Sequence, residues 1–114
     1  MVAFEISDEA CPYDDFREGV RRSGDKKAFR IIDAVVTKLK EVGLDLLDTN
    51  MMDNIGEGIY ELRPGDYRVF CFFDRPRGRF VLLHGFRKTT RKTPEGQKSR
   101  ARELATAYKL LRRP

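Results

Sequence analysis

Four cations stand where an apolar, strand-like region turns. Arg63 and Arg68 flank Pro64-Gly65-Asp66, and Arg87 and Lys88 follow the apolar run at residues 80–83. Such a set suits phosphate chemistry. When a ribose 2′-hydroxyl attacks its neighbouring phosphodiester, negative charge builds on the phosphorane oxygens, and fixed cations stabilise it. Arginine serves well because its planar fork binds two oxygens and stays charged. A base for the hydroxyl and an acid for the leaving oxygen would add to the effect. Glu61, His84, Lys88 and Tyr108 are the titratable groups near that cluster or able to approach it. Further cations could track RNA phosphates: Arg91 and Lys92 downstream, and Arg75, Arg77 and Arg79 around the next turn.

Each of these residues also has a plainer reading. Arg63 and Arg68 could form only ion pairs with Glu61 and Asp66. His84, between Leu83 and Gly85, could be a satisfied buried histidine, and Tyr108 at helical spacing from Leu104 and Leu111 could be core. Arg75, Arg77 and Arg79 could be a solvated tip, and Lys38 and Lys40 a solvated helix face. Cys11 and Cys71 lack CxxC spacing, and His84 is the one histidine, so a Cys/His zinc site is not expected. No metal and no cofactor are called for.

The elements that must position these groups follow from periodicity. Residues 1–6 alternate weakly, as a short strand would. Residues 11–22, with Phe16 and Val20 four apart, allow a short helix. From Lys26 to Val42, Phe29, Ile32, Val36, Leu39 and Val42 recur at spacings of three and four, which predicts a helix, with Gly43 as its stop. Residues 45–58 read as an irregular connection. Residues 59–63, 67–73 and 79–86 read as three strands joined by the turns Pro64-Gly65-Asp66 and Asp74-Arg75-Pro76-Arg77-Gly78. Short turns imply an antiparallel meander. Thr93-Pro94-Glu95 opens a last helix with an apolar stripe of Ala101, Leu104, Ala105, Tyr108 and Leu111. The expected architecture is one α+β domain over residues 1–114, with helices on one face of a small antiparallel sheet.

In a meander the end of the first strand, the start of the second and the end of the third share one edge, so Arg63, Arg68, Arg87 and Lys88 can converge. Register decides how well. If Arg63 pairs with Tyr67, Arg63 and Arg68 take opposite faces; if Arg63 pairs with Arg68, they share one.

Composition sets the bounds. The 114 residues carry a net charge of +5, unevenly divided. Residues 1–57 hold 8 Lys/Arg against 13 Asp/Glu, and residues 58–114 hold 15 against 5. A positive field on one part of the fold favours a phosphate backbone as partner. No apolar run is long enough to span a membrane, and the acidic first ten residues do not resemble a secretory signal. A cytoplasmic location is expected.

Three blocks, Gly58-Ile59-Tyr60-Glu61-Leu62-Arg63, Tyr67-Arg68-Val69-Phe70 and residues 82–94 (Leu-Leu-His-Gly-Phe-Arg-Lys-Thr-Thr-Arg-Lys-Thr-Pro), resemble in order the phage-derived HigB-like branch of the RelE/ParE toxin superfamily. The resemblance implies a RelE-like fold, metal-independent mRNA cleavage on the ribosome, and neutralisation by a cognate antitoxin in a hetero-oligomer. By position, Arg68 matches the arginine that contacts the scissile phosphate in RelE-like toxins. Arg87 and Lys88 match the basic pair after the third strand, and Glu61 and Arg63 match the branch's Glu-Leu-Arg. This chain departs in carrying Thr89 for the second lysine of a Lys-Lys pair, Ile59 and Glu61 where RelE has lysines, and Thr93 nearest to a RelE tyrosine. Two other functions share the fold: a ParE-like topoisomerase inhibitor, and an inactive or nucleic-acid-binding descendant. The converging cations favour the nuclease.

Overall fold

The computed structural model describes residues 2–3 and 11–111. The elements run β1 (Val2–Ala3), α1 (Pro12–Arg22), α2 (Lys26–Val42), a 3-10 helix (Gly43–Asp48), β2 (Met52–Gly56), β3 (Ile59–Leu62), β4 (Tyr67–Asp74), β5 (Arg79–Arg87) and α3 (Glu95–Leu111). The sheet order is β1-β5-β4-β3-β2. β2 through β5 are antiparallel, and β1 joins β5 in parallel. Of the strand expected at residues 1–6, Val2–Ala3 is present and the rest lies outside the described residues.

α2 keeps its expected bounds. The Asp25 side chain caps it by accepting from Ala28 N–H at 3.0 Å. Residues 45–58 are more regular than expected, for they contain β2. Asp, Asn and Gly are poor strand formers, yet pairing of Met52 with Leu62 and Asp53 with Glu61 overrides that preference. On this edge strand, the Asp53 and Asn54 side chains accept from the N–H groups of Asn54 and Gly56. Such local bonds blunt an exposed edge.

Helices cover both faces of the sheet, not one. Leu62, Val69, Cys71 and Leu82 pack with Val20, Ile32 and Leu39 of α1 and α2. Ile59, Phe70, Phe72, Val81 and Leu83 pack with Ala101, Leu104, Ala105 and Tyr108 of α3. The reason lies in β4, where Val69-Phe70-Cys71-Phe72 is apolar at every position. A strand without alternation needs both faces buried. Leu111, assigned to the α3 stripe, is instead 55% exposed at the helix end.

Gly85 faces α1. A Cβ there would stand 2.5 Å from the Phe16 ring, which is itself packed against Tyr13 and Tyr67. Gly85→Val is therefore expected to destabilise the fold by about 1–3 kcal/mol through overpacking, read as a lowered melting temperature, with Gly85→Ala at the low end.

Candidate functional site

The β3–β4 register pairs Leu62 with Val69. One step further the same register sets Arg63 opposite Arg68, so the two share a face, the one that α3 covers further along the sheet. Gly65 makes the connection possible. It adopts a φ of 59°, a backbone region open to glycine at no steric cost, and Tyr67 N–H closes the turn on the Pro64 carbonyl at 3.1 Å.

Glu61 is the hub of this end. It is 1% exposed. One oxygen accepts from Arg63 Nε at 3.1 Å and faces Arg68 Nε at 3.8 Å; the other accepts from the Thr93 hydroxyl. Arg63 also donates from Nη2 to Asp53 at 2.9 Å. Arg63 thus bridges two carboxylates, and its charge is locally answered.

Arg68 is held differently. Its Nη1 donates to the carbonyls of Gly65 at 2.7 Å and Tyr67 at 2.6 Å, which fixes the plane of the guanidinium. Its side chain is 15% exposed. Nε is buried without a hydrogen-bond partner, and Nη2 makes no hydrogen bond among the described residues. Burial lowers the Arg68 pKa, as does the Arg63 charge, while Glu61 and Asp66 oppose the shift. Arginine remains charged at neutral pH under such shifts. Because Nε is buried and faces Glu61 at 3.8 Å, Nη2 is the donor that this fixed cation can offer an oxyanion.

The expected convergence of four cations is realised in part. Arg68 pairs with Phe86, and Tyr67 with Arg87. Alternation therefore puts Arg87 on the opposite face from Arg68, toward α2. Lys88, half-buried, sits at the shared edge, where its N–H donates to the Asp66 carbonyl at 2.7 Å. Arg91 and Lys92 are exposed on the segment that leads to Thr93 and so to Glu61.

Arg75, Arg77 and Arg79 belong to the other end of the sheet. Arg68 and Asp74 are six residues apart on β4, about 20 Å at strand rise. There Arg79 donates from Nη2 to the Tyr108 hydroxyl at 2.9 Å, and that hydroxyl donates to Asp74 at 2.6 Å. Arg77 pairs with Asp74 at 3.4 Å. Tyr108 is buried, its ring edge-on to Phe72. These contacts tie α3 to the β4–β5 hairpin.

A register shift between Phe70 and Cys71 on β4 sets Leu83 as an extra residue on β5. Strict alternation would send Leu83 and His84 to opposite faces; the bulge lets both take the α3 face. His84 is 4% exposed, 5.2 Å from the Phe70 ring. Its Nε2 lies 3.0 Å from Gln97 Oε1. A carbonyl oxygen there calls for Nε2–H, so Nδ1, buried and unpartnered, carries the lone pair. Burial pushes its pKa down to about 4, with the Arg100 charge adding and the Gln97 bond opposing. The imidazole is neutral at pH 7, while an unfolded one would titrate near pH 6.5. The unfolded chain thus binds the extra proton first. Stability is expected to be complete above pH 6.5 and to fall toward pH 4 by at most about 3 kcal/mol from this group. Denaturant titrations across that range check it, and His84→Leu should flatten the dependence.

Two contacts in this cluster have no signal in the sequence. Asp53 answers Arg63 only because β2 exists. Thr93, read as a helix cap, gives its hydroxyl to Glu61 across 32 positions of sequence, and no local pattern signals that contact. Among the described residues no group of His, Cys, Asp and Glu is placed to hold a metal ion, and no helix is long and apolar enough to cross a membrane.

Residues 22–106, from the end of α1 through most of α3, match the family model described as Phage derived protein Gp49-like (DUF891). The chain belongs to this family. The matched span of the Gp49-like domain contains the whole Glu61–Arg63–Arg68–Thr93 cluster and all four antiparallel strands. No curated protein matches the chain in sequence.

Proposed function

We propose that this Gp49-like protein is a RelE/HigB-type toxin of phage derivation. It would cleave mRNA on the ribosome at the β3–β4 end of the sheet and be neutralised by a cognate antitoxin. The observation that carries the reading is Arg68: a guanidinium clamped on two backbone carbonyls, with Nε facing Glu61 at 3.8 Å and Nη2 making no hydrogen bond among the described residues, at an edge that also holds Arg63 and Lys88. In the reaction the ribose 2′-oxygen bonds to phosphorus and the P–O5′ bond breaks. The 2′ proton is lost to a base, and the 5′ oxygen gains one. Arg68, with Lys88 beside the same turn, would stabilise the charge on the non-bridging oxygens.

Glu61 is read as the group that organises the arginines rather than as the base, since Arg63, Arg68 and Thr93 close around it. His84 is read as a positioning residue that joins β5 to the start of α3 through Gln97. The rate would then rest on charge stabilisation. An antitoxin segment that covers this edge would be acidic, by charge complementarity.

Induction of the chain in a bacterial host, with mRNA 5′ ends mapped as growth is followed, tests the reading. Growth arrest with new cleavage sites inside coding regions is expected. Arrest with intact mRNA and a DNA-damage response would favour topoisomerase inhibition instead. Unimpaired growth from well-expressed soluble protein would favour an inactive or binding module.

A further inference from the structure

Behind the Pro64-Gly65-Asp66 turn, on the face opposite Arg68, lies a cleft of about 240 Å³ between the start of α2 and the start of β4. Its walls carry Lys27 and Arg87, both exposed, and the carboxylates of Asp25 and Asp66. The partly buried Ile31 and Tyr67 give it an apolar side. Asp25 is engaged as the cap of α2, so Asp66 is the acceptor left open toward the cleft. The turn is a wall common to both sites: Arg68 bonds the Gly65 carbonyl, and the Asp66 charge acts on Arg68.

This mixture is not that of a bare phosphate pocket, which would lack carboxylates, nor of an apolar ligand site. It suits a nucleotide. Two cations answer a phosphodiester, an aromatic and an aliphatic side chain offer a surface for a base, and an aspartate accepts from an exocyclic amino group such as cytosine N4. The cleft is open and, at about 240 Å³, smaller than the roughly 300–1,000 Å³ of sites for larger ligands. We propose that this cleft receives the nucleotide adjoining the phosphate held at Arg68, with Lys27 and Arg87 on its phosphate and Asp66 selecting amino-bearing bases. The inference rests on the reading of Arg68 as a phosphate site and adds a specificity subsite to it. The single strand would pass over the turn from one face of the sheet to the other.

The test is binding of short single-stranded oligo(rC) and oligo(rU) to the purified full chain over a salt series. Each phosphate contact contributes about 0.7 to the slope of log K against log salt for a single strand. Lys27→Ala/Arg87→Ala, which removes both cations from that one phosphate, should therefore lower the slope by about 0.7, while Lys38→Ala/Lys40→Ala, which removes equal charge from the exposed side of α2, should leave it unchanged. The wild type should prefer oligo(rC) by on the order of tenfold, and Asp66→Ala should erase the preference. These results would hold for the cleft even if no mRNA ends appear in the induction experiment, which judges the nuclease reading separately. Unchanged slope and unchanged base preference in the variants, or no binding of either oligonucleotide by the wild type, would overturn the cleft.

Discussion

Arg68→Ala is expected to lower RNA cleavage by about 10²–10³-fold, the usual loss when one preorganised donor to a developing oxyanion is removed. The fold should survive, because Arg68 gives up two bonds to backbone carbonyls, one of them on the exposed Gly65; each such bond is worth about 1 kcal/mol. Arg68→Lys should recover little. A lysine keeps the charge, but one ammonium cannot clamp two carbonyls and hold a further donor in the same fixed plane. Single-turnover cleavage of a defined mRNA on ribosomes, with melting temperatures as the control on folding, checks this. Near-wild-type cleavage by Arg68→Ala would remove Arg68 from the site.

Glu61→Ala is the second large effect, and it acts on stability. Removing one member of a fully buried ion pair commonly costs 3–5 kcal/mol, because a charge is left without its partner. Here the Arg63 side chain is 36% exposed and can turn to water, and Asp53 still answers it, so about 2–3 kcal/mol is expected. Arg68, more buried, would lose the carboxylate that faces its Nε. Glu61→Gln keeps an acceptor for Arg63 and should lose less stability. Equilibrium denaturation gives both values. A Glu61→Ala protein as stable as the wild type would mean that the cluster does not organise this end of the sheet.

Much of this arrangement is legible in the chain itself, where local chemistry and tertiary structure agree. Lys26–Val42 is a helix because its apolar stripe, its Asp25 cap and its Gly43 stop all point the same way. Tyr67–Asp74 and Arg79–Arg87 are strands because aromatic and β-branched residues run on from the turns Pro64-Gly65-Asp66 and Asp74-Arg75-Pro76-Arg77-Gly78. What escapes reading is what depends on pairing. β2 carries Asp and Asn, which argue locally against a strand, and only β3 beside it makes one. The faces of Arg68 and Arg87 turn on a register that one residue would invert, so four cations at one sheet edge divide into two sites. The β5 bulge that seats His84 on the α3 face has no mark in a run as uniform as Phe80-Val81-Leu82-Leu83. The continuous apolar stretch of β4 did hold the information that both faces of the sheet are covered.

The proposed function reduces to one chemical step, in which a ribose 2′-hydroxyl cuts its own strand at the β3–β4 end. The most direct test uses purified protein, programmed ribosomes, and an mRNA carrying either a ribose or a 2′-deoxyribose at the mapped cleavage site. The ribose form is expected to be cut, leaving a 2′,3′-cyclic phosphate and a 5′-hydroxyl, and the deoxy form to stay whole. Cleavage of both forms, or of neither, would contradict that step.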